Sequence, residues 1–219
     1  MTDTDTPSIA KRREAVLVEL AQAADPPPQL VAVTKTQPDD AIEAILATGQ
    51  RIFGENRVQE AEARWAHWRT QYPDLELRLI GPLQTNKAED AVRLFDVIET
   101  LDRPKLVQSL AKAMEKAGRH VPVLIQVNTG EEPQKAGVAP SELQGLLQEA
   151  RGAGLDVQGL MCIPPVDEPA GPHFALLAKL AKQAGLSVLS MGMSSDYATA
   201  ARYGSTHVRV GTALFGARS

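Results

Sequence analysis

Short apolar runs alternate with longer amphipathic segments along almost the whole chain. Each run has four to seven residues rich in Val, Ile and Leu, which is too short for a helix and typical of a buried strand. The runs show little polar alternation, as expected for parallel strands buried on both faces. The pattern predicts eight strands, over residues 30–33, 51–55, 76–81, 97–100, 122–127, 157–163, 187–191 and 207–210.

Helices are predicted between the strands, where apolar residues recur three and four positions apart. Two of them begin with capping signals, Asp102 as an N-cap and Ser141 with Gln144 as a capping box. The predicted helices are residues 8–24, a segment ending at Gly49, a segment through Trp65 and Trp68, residues 86–94, a segment from Asp102 to Gly118, a segment opening at Ser141, and residues 172–184 and 195–203.

Eight strands alternating with eight helices, at roughly 25 residues per unit, are typical of a (β/α)8 TIM barrel. We therefore predict a single-domain α/β barrel over residues 8–219, with its first helix packed on the outside and a flexible tail over residues 1–7. An open doubly wound sheet is the alternative. It is disfavoured because no Gly-x-Gly-x-x-Gly motif follows the first strand.

The composition excludes several classes of protein. The chain has 219 residues, a formal net charge of -4 and one cysteine, Cys162. It therefore lacks the basic character of a nucleic-acid binder and cannot form an internal disulfide. No apolar run is long enough to cross a bilayer, and residues 1–7 lack the features of a signal peptide. We predict a cytoplasmic protein without nucleic-acid or membrane partners.

Lys35 comes directly after the first predicted strand and just before a helix near Pro38. In a TIM barrel the carboxyl ends of all strands face one mouth, where these folds place their chemistry. A lysine there is either a solvated surface charge or a nucleophilic amine in a dry pocket. Other residues predicted at this mouth include Glu55, Asn56, Gly81, Gln84, Asn86, Asn128 and Cys162.

The ends of strands seven and eight form the usual phosphate site of this architecture. The turn that contains Met193 and Ser194 precedes a predicted helix, whose N–H groups and dipole favour an anion. Gly211 and Thr212 add a position without a side chain and a hydroxyl donor. Either segment alone could be an ordinary turn, but their occurrence together at these two strand ends favours a phosphate cradle.

A lysine and a phosphate cradle at one mouth fit pyridoxal 5'-phosphate, an aldehyde that carries a phosphate and forms a Schiff base with an amine. Arg209 and Gly211 lie two residues apart, so both positions face the same side of strand eight. If that side is the interior, Arg209 could approach the pyridine nitrogen. A cation there would disfavour protonation of the ring and weaken it as a carbanion sink. A strand-end salt bridge is the alternative role for Arg209.

Five segments together carry a resemblance to a known family: VAVTKT (31–36), FGENRVQE (53–60), IGPLQTNK (80–87), LSMGMS (189–194) and VRVGTALFGAR (208–218). They closely resemble the YggS/PROSC family of pyridoxal phosphate homeostasis proteins, and the similarity runs through the chain from Leu30 onward. The resemblance implies a fold type III barrel of the alanine racemase N-terminal type, in which Lys35 carries pyridoxal phosphate as an internal aldimine.

The resemblance also implies roles for other residues and for the protein as a whole. Ser194, Gly211 and Thr212 match phosphate contacts, and Arg209 and Asn56 lie near the ring. Met193, in the same turn as Ser194, completes the predicted cofactor-binding set. Members of the family are regarded as regulators or carriers of the vitamin B6 pool, with no established enzymatic reaction.

Catalysis by a racemase of this fold needs a second acid/base group. In alanine racemases it is a tyrosine from an additional β-domain of the partner subunit. We expect no such domain here, since the chain ends at Ser219. The residues that could replace it are predicted away from the mouth: Tyr72, Tyr197, Tyr203, His67, His120, His173 and His207.

We therefore predict a pyridoxal phosphate-binding protein without robust enzymatic activity. It is expected to be a monomer that holds no metal and passes its cofactor to apo forms of pyridoxal phosphate-dependent enzymes. Two alternatives stay open, a racemase-like enzyme that uses the cofactor and a Schiff-base aldolase that acts on a sugar phosphate without it. A pure interaction module is disfavoured, because it needs neither a lysine nor a phosphate cradle.

Overall fold

The computed structural model describes residues 8–216, in which eight parallel strands close into a barrel in chain order. The first strand pairs with both the second and the eighth, which closes the sheet. The prediction of a single-domain TIM barrel is confirmed. The strands are β1 (Gln29–Val33), β2 (Ile52–Glu55), β3 (Glu76–Leu79), β4 (Val97–Leu101), β5 (Val123–Gln126), β6 (Val157–Met161), β7 (Val188–Ser190) and β8 (His207–Val210).

Helices cover the outside of the barrel. They are α1 (Ile9–Ala23), α2 (Asp39–Ala47), α3 (Val58–Gln71), α4 (Ala88–Leu94), α5 (Pro104–Ala117), α6 (Leu143–Gly152), α7 (Ala170–Ala184), α8 (Tyr197–Arg202) and α9 (Thr212–Phe215). Single 3₁₀ turns precede α4, at Thr85–Lys87, and α6, at Pro140–Glu142. The short α9 follows β8 and was not predicted, since four residues are too few to show helical periodicity.

Two predicted caps are wrong. Arg103, not Asp102, is the N-cap of α5, because Pro104 at the first helical position moves the start one residue along. The predicted capping box of Ser141 and Gln144 does not form. Pro140 begins a 3₁₀ turn there, so α6 begins only at Leu143, without a side-chain cap.

The main core lies between the sheet and the surrounding helices. Large side chains from both layers fill it, among them Phe53, Trp65, Phe95 and Phe174, none of which is more than 1% exposed. A smaller apolar cluster consists of Val97, Leu124 and Met161 from β4, β5 and β6, and it is separate from the main core. Because successive strand residues point to opposite faces, this cluster fills the barrel interior.

Helix α1 packs on the outside of the barrel, as predicted, against α2, α8 and α9. Val16 and Leu20 are its buried residues, and the Tyr197 hydroxyl of α8 donates a hydrogen bond to Glu19. The predicted tail, residues 1–7, lies outside the described residues. No helix among residues 8–216 is long and apolar enough to cross a membrane.

Candidate functional site

A cavity of about 680 Å³ opens at the mouth of the barrel, where the strands end. We call it the mouth cavity. Its lining comes from the ends of β1, β2, β3, β6, β7 and β8. It brings together all seven residues that the sequence predicted to bind a cofactor: Lys35, Asn56, Met193, Ser194, Arg209, Gly211 and Thr212.

Lys35 lies two residues beyond the end of β1, on one side of this cavity. Strand alternation accounts for its direction, because Val33 also lines the cavity whereas Thr34 is fully buried outside it. Of the two alternatives for Lys35, a solvated charge or an amine in a dry pocket, the structure shows a solvated side chain. Lys35 is exposed and the mouth around it is open, so its amine is accessible to an incoming ligand.

Because β8 pairs with β1, the ends of β7 and β8 lie next to the Lys35 turn, and they meet through Ser194. Its hydroxyl oxygen accepts hydrogen bonds from the backbone N–H groups of Gly211 and Ala213, each at 3.2 Å. Within residues 8–216, the N–H groups of Ser194, Ser195 and Thr212 donate to no protein acceptor. Three backbone donors therefore remain free at the predicted phosphate cradle.

The helix predicted after Gly192, over residues 195–203, is shorter in the structure. Helix α8 begins at Tyr197 and has only six residues, and the Asp196 carboxylate accepts the Met193 N–H at 2.6 Å. The cradle is thus a turn with free N–H groups that leads into a helix shorter than the predicted residues 195–203. Gly192 is required there by packing, because it has φ +96° and a Cβ would lie 2.5 Å from Ala200.

Gly211 has a different reason to lack a side chain. Its backbone is not in the left-handed region, and the nearest protein atom to an added Cβ would be the Val33 carbonyl oxygen at 3.4 Å. The protein itself could thus accommodate a small side chain there. The free space at Gly211 belongs to the mouth cavity, as expected for close approach of a ligand to the backbone.

Arg209 of β8 lines the cavity, and hydrogen bonds to buried groups fix its side chain. Its Nη1 donates to the Ser190 hydroxyl at 2.7 Å and its Nη2 to the Cys162 carbonyl at 2.8 Å. Ser190 in turn donates to Glu99 at 2.5 Å, and Glu99 accepts from Arg78 at 2.6 Å. Because β4 and β7 are not neighbours, the Ser190–Glu99 bond crosses the barrel interior. This buried chain, rather than a strand-end salt bridge, orients Arg209.

Apolar side chains form the remaining walls. The sequence analysis placed Ile80 and Ile163 inside predicted strands 76–81 and 157–163, so it missed them as walls of the cavity. Ile80 and Pro82 follow β3, and Ile163 follows β6 with 37% of its surface exposed. Ile163 lies two residues beyond the observed end of β6 but within the predicted strand, so no sequence signal distinguished it from a buried strand residue. These walls suit the face of a flat ring, which apolar side chains cover without hydrogen bonds.

Glu55, the last residue of β2, does not line the cavity, whereas Asn56, the next residue, does. Glu55 is fully buried, and its Oε1 accepts from the Thr34 hydroxyl at 2.7 Å and from Trp65 Nε1 at 3.0 Å. Asn56 reaches the mouth because β2 and β3 approach closely beyond their ends, where a Cβ on Gly81 would lie 2.2 Å from the Asn56 carbonyl oxygen.

The other reactive side chains lie elsewhere. Burial raises the pKa of the Cys162 thiol to about 12, which makes it inert, and Tyr197 contacts Glu19 outside the barrel. Among the described residues that line the cavity, none is His, Tyr, Cys, Asp or Glu. Residues 8–216 contain no cluster of His, Cys, Asp and Glu that could hold a metal ion.

Comparison with known proteins identifies the family. Residues 14–219 match the sequence model of the alanine racemase N-terminal domain. The chain belongs to this family. A pyridoxal phosphate homeostasis protein from Vibrio alginolyticus is 42% identical over 201 residues, 87% of this chain and 86% of the relative. Another, from Pasteurella multocida, is 37% identical over 212 residues, 92% and 91% of the two chains.

Solved structures agree with this assignment to the alanine racemase N-terminal domain family. PipY of Synechococcus elongatus, with pyridoxal phosphate bound, is 40% identical and superposes with a TM-score of 0.84. The match covers 95% of this chain and 100% of PipY, and the form without the cofactor gives a TM-score of 0.86. The resemblance inferred from the five sequence segments is confirmed.

The residues present fit the cofactor that PipY binds. This fit between the site and the cofactor rests on three observations. The cradle presents free N–H donors, which suit a phosphate. An accessible primary amine lines the same cavity, which suits an aldehyde. Apolar side chains after β3 and β6 form other walls of the cavity, which suits a ring.

Proposed function

We propose that the protein binds pyridoxal 5'-phosphate in the mouth cavity and takes part in vitamin B6 homeostasis, without robust enzymatic activity. One observation carries the proposal, namely that the Lys35 amine and the free N–H groups of the cradle line one cavity. The names of the relatives and the cofactor bound in PipY support the same conclusion.

The proposed roles follow from the position of each residue. When bound, pyridoxal phosphate supplies an aldehyde that condenses with a primary amine and releases water. Lys35 supplies that amine. Ser194, Thr212 and the backbone at Gly211 hold the phosphate, while Asn56, Met193 and Arg209 surround the ring. Arg209 carries a guanidinium cation, so it disfavours a proton on the pyridine nitrogen.

Storage and transfer suit this site better than catalysis. A racemase uses one acid/base group on each face of its substrate, and Lys35 is the one such group among the described residues that line the cavity. The open mouth lets an incoming amine reach the Lys35 side. A racemase-like enzyme that relies on Lys35 alone is the alternative, favoured only by the shared fold.

Three further properties belong to the proposal. The protein acts in the cytoplasm, it is a monomer, and apo forms of pyridoxal phosphate-dependent enzymes accept the cofactor from it. The formal net charge of -4, the single cysteine and the open mouth are the observations that support these expectations.

Lys35→Ala tests the assignment directly. We expect wild-type protein mixed with pyridoxal phosphate to absorb in the visible range, and borohydride to attach the cofactor irreversibly to the peptide that contains Lys35. Lys35→Ala should gain no reduced label, as read by peptide mass spectrometry. Lys87→Ala is the matched control, since Lys87 lies near the mouth but outside the cavity lining and pairs with Asp90.

The outcomes separate the candidate functions. Wild type that stays colourless with added pyridoxal phosphate would refute the cofactor assignment and favour the aldolase alternative. Label on Lys87 in place of Lys35 would refute the role of Lys35. For a labelled protein, NMR in deuterium oxide then decides between carrier and racemase, because only the racemase exchanges the α-hydrogen of added amino acids at enzymatic rates.

A further inference from the structure

Lys35 lies in a tight turn at the end of β1. The Gln37 N–H donates to the Thr34 carbonyl at 3.0 Å, which makes Lys35 and Thr36 the two central residues of a β-turn. Thr36 has φ +62°, in the left-handed region that glycine and asparagine favour at this position. A β-branched residue is strained there and persists only where its surroundings hold it. Something must therefore hold the Lys35 turn.

Arg64 of α3 holds both ends of this turn. Its Nη1 donates to the Thr34 carbonyl at 2.8 Å and its Nη2 to the Gln37 carbonyl at 3.1 Å. The planar guanidinium thus spans the two peptide groups that flank Lys35 and Thr36. A lysine could not replace this fork, since an ammonium is a point charge at the end of a flexible stem.

Glu55 fixes Arg64 in turn. Its Oε1 accepts from Arg64 Nη1 at 3.1 Å and from the Thr34 hydroxyl at 2.7 Å. The Glu55 side chain is fully buried and that of Arg64 is 18% exposed, so the pair is largely removed from water. Separation of a buried ion pair is unfavourable, which keeps the guanidinium against the turn.

We propose that Glu55 and Arg64 are positioning residues, which clamp the Lys35 turn so that the amine points into the mouth cavity. Neither residue lines the cavity, because both lie on the helix side of the sheet. They can act on a ligand only through Lys35. The inference rests on the proposed function, since it concerns the reaction of Lys35 with an aldehyde.

The clamp predicts that its loss slows the covalent reaction of Lys35 with the aldehyde, called capture below, and does not change non-covalent binding. With the turn released, the Lys35 amine samples a wider volume and meets the aldehyde less often, whereas the phosphate cradle, which Arg64 does not contact, is unchanged. Pyridoxine 5'-phosphate separates the two effects. It has the same phosphate and ring but an alcohol in place of the aldehyde, so it binds without reacting with Lys35.

Arg64→Lys is the principal variant, because it keeps the charge beside Glu55 and removes the fork. We expect visible-band formation with pyridoxal phosphate to slow by about tenfold, and the affinity for pyridoxine 5'-phosphate to stay within about twofold of wild type. Arg69→Lys is the matched control. Arg69 lies on the same helix and donates to a carboxylate and a carbonyl, Asp96 and Leu94, far from Lys35.

Two more variants extend the test, and the first keeps it decisive even if Arg64→Lys folds poorly. Thr34→Val removes only the hydroxyl bond to Glu55 and should slow capture by about threefold, since Arg64 stays in place. Thr36→Gly relieves the strain at φ +62° and should restore part of the capture rate in the Arg64→Lys background.

Each outcome bears on one claim. The clamp is refuted if Arg64→Lys weakens the binding of both ligands equally. It is also refuted if Arg64→Lys lowers thermal stability as Arg69→Lys does but leaves the rate of covalent capture unchanged. The proposed function fails separately, when wild type itself shows no borohydride label on Lys35. Slower capture with unchanged binding of pyridoxine 5'-phosphate supports the clamp.

Discussion

The two sides of the mouth are built in different ways. On the β7–β8 side, the candidate phosphate cradle consists mostly of backbone N–H groups and a glycine, within about twenty residues of sequence. On the β1 side, a single lysine provides the chemistry, and side chains from β2 and α3 determine where it points. Backbone donors are placed by the local turn, whereas a flexible lysine has to be placed by its neighbours.

The two sides also differ in what lies beneath them. Below the β7–β8 side, the interior holds Arg78, Glu99, Arg209 and His207, all buried. Glu99 is the acidic member of this group, and it lies between two arginines through direct contact with Arg78 and through Ser190. Below the β1 side, the strand residues from Leu30 to Val33 are apolar. This buried charged network thus joins β7 and β8 to β3 and β4, whereas β1 contributes no charged side chain to it.

The largest expected effects come from substitutions that remove either the Lys35 amine or the space at the phosphate cradle. Lys35→Ala should abolish the borohydride label and leave binding of pyridoxine 5'-phosphate almost unchanged. Gly211→Val should weaken both ligands by about tenfold or more, because its methyl groups enter the mouth cavity. Titration calorimetry and peptide mass spectrometry measure the two quantities. Equal loss of pyridoxine 5'-phosphate binding in both variants would contradict the division of the mouth into two sides.

The next largest effect concerns the charged network below the cradle. Glu99→Gln removes the negative charge between Arg78 and Arg209 and should lower the free energy of unfolding by about 3 kcal/mol. Urea denaturation measures the change. Glu62→Gln is the matched control, since Glu62 pairs with Arg93 on the exposed surface and should contribute less than about 1 kcal/mol. A midpoint equal to that of the control would show that the network does not need the charge.

The smallest expected effect is a pH dependence of the stability, caused by His207 in the same buried group of residues. Burial, together with the nearby Arg78 cation, lowers the pKa of His207 to about 4. The unfolded chain takes up a proton near pH 6.5, but the folded protein does not, so stability falls as the pH drops from about 6.5 toward 4. We expect this histidine to account for a loss of about 2 kcal/mol between pH 7 and pH 5.

Urea denaturation at these two pH values, with His207→Asn, checks this expectation. The variant carries no proton in this range, so its stability should change less between pH 7 and pH 5. His67→Asn, at an exposed position on α3, serves as the control and should keep the wild-type dependence. An unchanged pH dependence in His207→Asn would show that another group causes it.

Much of the fold and most of the candidate site were predictable from the sequence. Buried parallel strands are continuous apolar runs, so β8 was predicted with its observed bounds, His207–Val210. The barrel topology then brings all strand ends to one mouth, which is why seven residues scattered from Lys35 to Thr212 line one cavity. Helix starts were less predictable, because Pro104 and Pro140 override the nearby capping signals.

The sequence alone thus determined the architecture and the residue types at the mouth, since hydrophobic period and strand order need no knowledge of distant contacts. The tertiary structure decided how those residues are held. The Arg64 fork on the Lys35 turn joins residues 27 and 30 positions apart, and the Ser190–Glu99 bond joins residues 91 positions apart. Such pairs have no local signature, because their partners are chosen by the closure of the barrel and by the exclusion of water from buried charges.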